Sequence, residues 1–202
     1  MKKQIIIIRG GNSHESYEDY ISFLKKYEID PERIGSKGWK SKLAEDLENE
    51  FEVIPFRMPC PMNAKYYEWK IMFDKLLPFL RDDVSLIGHS LGGIFLAKYL
   101  SENDFPKRIK AIFLVSAPFD EETTEESLGD FNLPDNLEML ESQGGEIFFY
   151  HSEDDPCVSI QDLEKYRKSL PKANYRVFKD RGHFSGSDFN ELLEDIRKIS
   201  NK

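Results

Sequence analysis

The 202-residue sequence has few of the features that mark secreted, membrane-spanning or nucleic-acid-binding proteins. It contains only two cysteines, Cys60 and Cys157, which are too few for a disulfide-rich secreted scaffold or a four-cysteine zinc site. No apolar run approaches the roughly 18 to 20 residues that a membrane-spanning helix needs. No block of lysine and arginine interrupts the formal net charge of −9, so the surface is expected to repel phosphate backbones. These absences predict a cytoplasmic protein with no nucleic-acid partner and no membrane association.

The composition is that of a packed globule. Apolar residues make up 40% of the chain and aromatic residues 13%, which argues against disorder. The sequence shows no internal repeat or low-complexity tract, and its length predicts one domain over residues 1–202. The amino-terminal "MKKQIIIIRGG" is too short for a signal peptide and lacks a small-residue cleavage site, so it is interpreted as a buried strand.

Short β-branched runs alternate with longer segments of helical spacing. The runs are apolar on both faces, as in parallel strands that helices cover on both sides. The pattern predicts an α/β fold: a three-layer sandwich with a mainly parallel sheet of about six strands and no separate cap domain. The predicted strands are Gln4–Arg9, Glu52–Phe56, Val84–Gly88, Ile109–Ser116, Glu146–Tyr150 and Tyr175–Phe178. The predicted helices are Lys37–Glu48, Ala64–Leu80, Leu91–Leu100, Ile160–Leu170 and Ser187–Ile199.

Two segments interrupt this alternation. His14–Gly38 contains one predicted helix, Tyr17–Tyr27, followed by a loop with proline and glycine, and Ala117–Gln143 is an acidic, loop-like segment. Ligands bind at the carboxyl ends of the strands in an open parallel sheet, so both segments are candidate lids or pocket walls. The alternative for the acidic segment is a solvated excursion.

The stretch "LIGHSLGGIFLAKYL" contains the motif G-x-S-x-G around Ser90. A strand that turns abruptly into a helix holds such a serine in strained dihedral angles, and side chains at Gly88 and Gly92 would collide across the turn. The preceding apolar strand and the following helical pattern supply this setting. Ser90 is therefore predicted to be a nucleophile at the amino end of a helix.

A serine nucleophile needs a base and an acid. His183, in "DRGHF", follows the last predicted strand and is the best candidate base. The acid is expected between the serine and the histidine in chain order, where "SEDDP" offers Asp154 and Asp155. Asp155 is preferred because a shift of one residue in a turn redirects a carboxylate, and Asp154 is the alternative.

The developing oxyanion requires two N–H donors. One is expected from the backbone of Leu91, and the other from Gly11 or Asn12 in the loop after the first strand. An apolar acyl pocket is predicted around Met58 and Met62, with Trp39 and Phe119 as further walls. The alternative is that the prolines of the loop Pro55–Asn63 only make it rigid and well packed. His151 lacks a third ligand at local spacing, so neither a metal nor another cofactor is expected.

The order Ser90, Asp155, His183, with the sharp turn and the Gly-Gly loop, resembles the α/β-hydrolase superfamily. Within it, the chain is similar to the small, capless serine hydrolases of the retinoblastoma-binding protein 9 family. This resemblance implies a cytoplasmic serine hydrolase with that triad. It is carried by "GW" at Gly38, "MPCPMNAKYYEW" from Met58, "GHSLGG", "VSAPF" from Val115, "SEDDPCV" and "DRGHFSGSDFNELL".

We therefore expect a serine hydrolase that cleaves small carboxylic esters through an acyl-enzyme on Ser90. The expected partner is a small-molecule ester or amide substrate. An amidase, peptidase or thioesterase would use the same triad, and a binding protein could retain the hydrolase scaffold without using it.

Overall fold

A computed structural model describes residues 2–31, 35, 38–123 and 127–201 of the chain. Its centre is a six-stranded sheet in which every neighbouring pair of strands is parallel, in the order β2-β1-β3-β4-β5-β6. The three-layer α/β architecture and the six strands predicted from the sequence are confirmed. The strands are β1 (Lys3–Ile8), β2 (Phe51–Phe56), β3 (Val84–His89), β4 (Ile109–Val115), β5 (Glu146–Ser152) and β6 (Asn174–Phe178).

Helices cover both faces of this sheet. On one face lie α3, α4, α5 and α6, and on the other lie α2 and α7. No described helix is both long enough and apolar enough to cross a bilayer. The helices are α1 (Tyr17–Lys26), α2 (Trp39–Leu47), α3 (Tyr66–Leu76), α4 (Leu91–Glu102), α5 (Glu138–Gln143), α6 (Ile160–Ser169) and α7 (Asn190–Ser200).

Strand β1 shows why the sheet needs helices on both sides. Side chains alternate across a strand, so Ile6 and Ile8 pack into the core beneath α3 and α4, whereas Ile5 and Ile7 pack beneath α2 and α7. All four isoleucines are fully buried. The burial of each such side chain stabilises the fold by about 1.5–3 kcal/mol. Because its side chains belong to both cores, β1 connects the two cores.

The structure changes two predicted boundaries. The helix predicted over Ala64–Leu80 ends at Leu76 and continues as a 3₁₀ turn over Leu77–Phe79, because Pro78 cannot donate a backbone hydrogen bond. The segment Ala117–Gln143, predicted to be loop-like, ends in the short helix α5. Its Leu140 is fully buried in the core that contains α4, and this tertiary contact stabilises a helix that the sequence pattern did not reveal.

The acidic segment is attached to α6 where the structure describes it. Lys165 on α6 forms ion pairs with both Asp120 and Glu122. The hydroxyl of Thr123 donates to the buried carboxylate of Asp162. These contacts anchor the first half of the segment; its central residues 124–126 lie outside the described residues. The same holds for 32–34 and 36–37 of the other predicted insertion and for the Lys37 start of the predicted Lys37–Glu48 helix.

Candidate active site

Ser90 stands in a sharp turn between β3 and α4. Its φ of 55° and ψ of −126° are unfavourable for a residue with a side chain. A Cβ atom on Gly88 would lie 2.5 Å from the carbonyl oxygen of Gly92, and a Cβ atom on Gly92 would lie 2.4 Å from the carbonyl oxygen of Ile8. Both glycines of the motif are therefore required by close backbone approaches, and together they hold the serine at the carboxyl edge of the sheet.

Asp155 and His183 follow β5 and β6 and are joined by hydrogen bonds. Nδ1 of His183 is 3.0 Å from each carboxylate oxygen of Asp155. The Asp155 side chain has no exposed surface, and that of His183 is 17% exposed. Burial acts to raise the pKa of Asp155, but the hydrogen bond and charge of His183, together with hydrogen bonding from Ser116 and the backbone of Cys157, outweigh it, so this pKa lies below its ordinary value. The Asp155 anion thus accepts a hydrogen bond from Nδ1–H of His183 and leaves Nε2 free for proton transfer.

Asp154 points elsewhere and organises the turn. Its carboxylate accepts hydrogen bonds from the hydroxyl of Ser152 at 2.5 Å and from the backbone N–H of Gly182 at 2.9 Å. These two hydrogen bonds lower its pKa. Asp154 therefore ties the end of β5 to the loop that carries His183. Of the two neighbouring acids, the structure places Asp155 against the imidazole.

His89 links the serine turn to the His183 loop. Its ring packs against that of His183 with centroids 4.8 Å apart, and its Nε2 is 3.0 Å from the backbone oxygen of His183. Burial lowers the pKa of His89 well below its ordinary value, and the charges of Lys40 and His183 lower it further. His89 is therefore neutral and donates to His183. The hydroxyl of Ser90 itself forms no hydrogen bond to a described residue.

Two backbone segments that were predicted to supply the oxyanion donors lie next to the serine. Leu91 is the first residue of α4, so its N–H has no acceptor within the helix. A Cβ atom on Gly10 would lie 3.3 Å from Ser90 Oγ, which places the loop after β1 beside the hydroxyl. The N–H of Asn12 is already donated to the carbonyl oxygen of Pro61, at 2.8 Å. Of the two residues predicted for the second donor, the structure therefore favours Gly11 over Asn12.

The model of the family described as serine hydrolase matches residues 33–198. The chain belongs to this family. Serine hydrolase RBBP9 of Rattus norvegicus is 27% identical to this serine hydrolase over 176 residues, which cover 82% of the present chain and 88% of the rat protein. The resemblance expected from the sequence motifs is thus confirmed.

Solved structures share the fold of this serine hydrolase. The ydeN gene product of B. subtilis superposes with a TM-score of 0.80 at 17% identity, with full coverage of both chains. A structure from a study of carboxylesterases of the thaumarchaeon Nitrososphaera gargenis superposes with a TM-score of 0.67 at 16% identity, covering 99% of the present chain and 92% of the archaeal one. At these identities the likeness establishes the α/β-hydrolase fold.

A cavity of about 590 Å³ opens beside Ser90 of this serine hydrolase. Gly10, which contacts Ser90, and Met58 belong to its wall. The other lining residues are Arg9, Pro55, Phe56, Arg57, Pro61 and Trp69. The two arginines were missed by sequence reasoning, although Arg9 ends one predicted strand and Arg57 directly follows another.

The structure does not bring Trp39 and Phe119 to this cavity, so the predicted pocket of Met58, Trp39 and Phe119 does not form as a set. Trp39 begins α2 on the opposite face of the sheet, is only 2% exposed and packs edge-on against His89. Phe119 packs edge-on against Tyr166 of α6, with ring centroids 4.9 Å apart. Trp39 covers the face of the sheet opposite to Met58, whereas Phe119 lies on the same face but beside α6. Sequence spacing reveals neither the face nor the position along the sheet.

One group of potential metal ligands occurs among the described residues of the hydrolase. The ligand atoms of Asp155, Cys157 and His183 lie within 4.8 Å of one another. Asp155 and His183 already bind each other, and Asp155 also accepts the backbone N–H of Cys157 at 2.9 Å. His151, the metal candidate weighed in the sequence, is buried and bonded to the backbone oxygen of Val158. The hydrogen bonds within this group therefore hold Asp155 against His183.

Acidification is expected to destabilise the protein partly through His89. Because its pKa in the folded protein lies below the ordinary value of 6.5, the unfolded chain binds the proton more readily, and stability present above that pH is lost as the pH falls. From about pH 8 to about pH 5.5, one such group contributes a loss of at most about 1.4 kcal/mol. His89→Gln keeps a donor for His183 but does not titrate, so its free energy of unfolding in urea should fall less over this range, by up to about 1.4 kcal/mol. Equal pH dependence of both proteins would contradict this role.

Proposed function

We propose that this serine hydrolase cleaves small carboxylic esters through an acyl-enzyme on Ser90. The proposal depends above all on the paired hydrogen bonds between His183 Nδ1 and both oxygens of Asp155, at the sheet edge where the strained turn presents Ser90. A histidine oriented in this way by a buried anion can take a proton from a serine hydroxyl and stabilise the charge that it gains. A scaffold that only binds ligands has no need for all three groups.

The reaction proceeds in two halves. Ser90 Oγ attacks the ester carbonyl carbon while its proton passes to Nε2 of His183, and the resulting oxyanion accepts hydrogen bonds from the N–H groups of Leu91 and Gly11. The bond between the carbonyl carbon and the alkoxy oxygen then breaks, and the His183 imidazolium donates the proton to the leaving alcohol. A water molecule, deprotonated by His183, attacks the acyl-enzyme and releases the carboxylic acid. The proton returns to Ser90.

Two observations support a small ester as the substrate. One structural neighbour comes from a study of carboxylesterases of Nitrososphaera gargenis. The cavity of about 590 Å³ beside Ser90 can hold an acyl group of short or medium length. Among the described residues, no separate cap domain extends this cavity for a long lipid chain.

A fluorophosphonate probe tests the nucleophile directly. We expect stoichiometric labelling, with the modified peptide containing Ser90 in a tryptic mass spectrum, because the probe reacts only with a serine that a base activates. Ser101→Ala is the matched control: Ser101 lies on α4, where its hydroxyl bonds to the carbonyl oxygen of Ala97, outside the site. This variant should be labelled like the unaltered protein. A folded protein that stays unlabelled would contradict the proposal and favour a binding role.

The leaving group is tested with a matched substrate panel. p-Nitrophenyl esters, p-nitroanilides and thioesters with the same acyl groups, from acetyl to octanoyl, differ only in the bond that is cleaved or in acyl length. We expect the highest kcat/KM for esters with short or medium acyl groups. Faster cleavage of the anilides or thioesters at equal acyl length would instead identify an amidase or a thioesterase.

A further inference from the structure

The cavity beside Ser90 is positively charged in a protein that is strongly acidic. The chain has 37 acidic and 28 basic residues, yet the described residues that line the cavity include Arg9 and Arg57 and no acidic residue. Ile8 and Phe56 are paired in the parallel register of β1 and β2. The two arginines are the next residues of these neighbouring strands, which run about 4.8 Å apart, so both cations emerge side by side.

Arg9 and Arg57 differ from the other described arginines in their ion pairing. Arg9 and Arg57 form no ion pair with a described residue, whereas the six other arginines that the structure describes each have a carboxylate partner. The two arginines that have no carboxylate partner among the described residues line the same cavity. The paired arginines are Arg81 with Glu52, Arg108 with Asp83, Arg167 with Glu164, Arg176 with Asp195, Arg181 with Glu191 and Arg197 with Glu50.

A third cation, Lys40, lies close enough to Arg9 to be affected by its charge. Burial lowers the pKa of Lys40 to about 7, and the positive charge of Arg9 is the second cause. The ammonium group of Lys40 lies 4.6 Å from the centre of the Trp39 ring, so it contacts an aromatic face.

The remaining walls of the cavity suit a hydrocarbon chain. Phe56, Met58 and Trp69 contribute apolar surface, and the indole N–H of Trp69 is already donated to the carbonyl oxygen of Pro59, at 2.8 Å. An acyl chain in this cavity would be lined by these apolar side chains as well as by the two arginines. Such a cavity fits a molecule with a reactive carbonyl group at one end and an anion at the other.

The order of the strands shows which part of the substrate enters the cavity. Ser90 follows β3; the cavity lies at the ends of β1 and β2, whereas Asp155 and His183 follow β5 and β6 on the other side. The leaving alcohol must lie beside His183, because it receives its proton from there. The occupant of the cavity is therefore the acyl part, which stays on the enzyme after the alcohol has left.

We infer that the preferred substrates are half-esters of dicarboxylic acids, whose free carboxylate binds Arg9 and Arg57 while Ser90 attacks the ester carbonyl. The inference rests on the proposed esterase function and specifies its substrate class. A planar carboxylate matches the fork of a guanidinium group, and two neighbouring arginines offer it charge-assisted hydrogen bonds from both sides.

Paired substrates test this inference. The p-nitrophenyl monoesters of succinic, glutaric and adipic acid are compared with neutral p-nitrophenyl esters of equal chain length, with the rate of the Ser90→Ala protein subtracted as background. At low salt, the best acidic ester should have a kcat/KM at least about tenfold above that of its neutral counterpart. Added salt should reduce this ratio, because both arginines are solvent-accessible.

Arginine variants locate the effect. Arg57→Gln and Arg9→Gln should each bring the ratio of acidic to neutral kcat/KM close to one, and Arg57→Lys should keep part of it. The ratio cancels any general loss of activity. Arg108→Gln is the matched control, because Arg108 pairs with Asp83 at the amino-terminal ends of the strands, away from the site. The ratio of acidic to neutral kcat/KM for this variant should match that of the unaltered protein. Equal rates for acidic and neutral esters, or a ratio that survives both glutamine variants, would overturn the inference.

A binding measurement separates this inference from the proposed function. Calorimetry on the Ser90→Ala protein should detect monoethyl adipate binding at least about tenfold more tightly than ethyl hexanoate, and the additional Arg57→Gln change should remove the difference. If no ester is turned over but this difference in affinity is present, the esterase proposal fails, and the binding of an anionic ligand by Arg9 and Arg57 is supported. If neutral esters are cleaved and the difference is absent, only the inference about the substrate class fails.

Discussion

The Ser90→Ala protein is expected to lose about a millionfold in kcat toward p-nitrophenyl esters, to the level of background hydrolysis. Without Oγ no acyl-enzyme forms, and neither His183 nor the oxyanion donors can replace the nucleophile. The strained backbone at residue 90 is the same for serine and alanine, since both carry a Cβ atom. The melting temperature should therefore change by no more than about 2 °C.

Steady-state kinetics and circular dichroism melts of both proteins check this expectation. The Ser101→Ala protein serves as the control for a loss of hydroxyl on the same helix and should keep its activity. Residual activity within about a hundredfold of the unaltered protein would exclude Ser90 as the nucleophile.

Asp155→Asn is expected to lower kcat by about 10⁴. Asparagine keeps the shape of the side chain and an oxygen for the backbone N–H groups of Cys157 and Val158, but it cannot stabilise the His183 imidazolium as an anion does. Its amide can also hold the imidazole in the wrong tautomer. The effect should therefore appear in kcat, with little change in the unfolding transition.

Asp154→Asn is the matched comparison for this variant. The asparagine oxygen can still accept the hydrogen bonds from Ser152 and Gly182, so the His183 loop should keep its position and kcat should fall by less than about tenfold. A larger loss for Asp154→Asn than for Asp155→Asn would assign the acid to Asp154 instead.

The fold could be predicted largely from local patterns. The six apolar runs mark the strands because a parallel strand buried on both faces must be apolar throughout, as Ile5 to Ile8 are. The missed helix α5 shows the limit of such reasoning. With six residues, it depends on Leu140 in the core beneath α4 rather than on a periodic pattern of its own.

In the candidate site, too, the features with a local cause could be predicted, and those that depend on distant contacts could not. The turn around Ser90 could be predicted because its cause is local: two glycines within two residues of the serine remove collisions inside one short segment. The residues that line the pocket could not be predicted from the sequence. Trp39 and Met58 are both apolar residues near strand ends, but they lie on opposite faces of the sheet, and spacing along the chain does not distinguish these faces.

By itself, the sequence determined the order of strands and helices, the strained serine and the small set of histidines and acids that could serve it, since each depends on residues close together in the chain. Only the tertiary structure decided that Asp155 rather than Asp154 faces His183, that the N–H of Asn12 is engaged, and that two arginines without an ion-pair partner among the described residues share the cavity beside Ser90. These features depend on side-chain directions and on contacts between segments far apart in the chain. Such contacts are set by packing across the sheet, which no local pattern encodes.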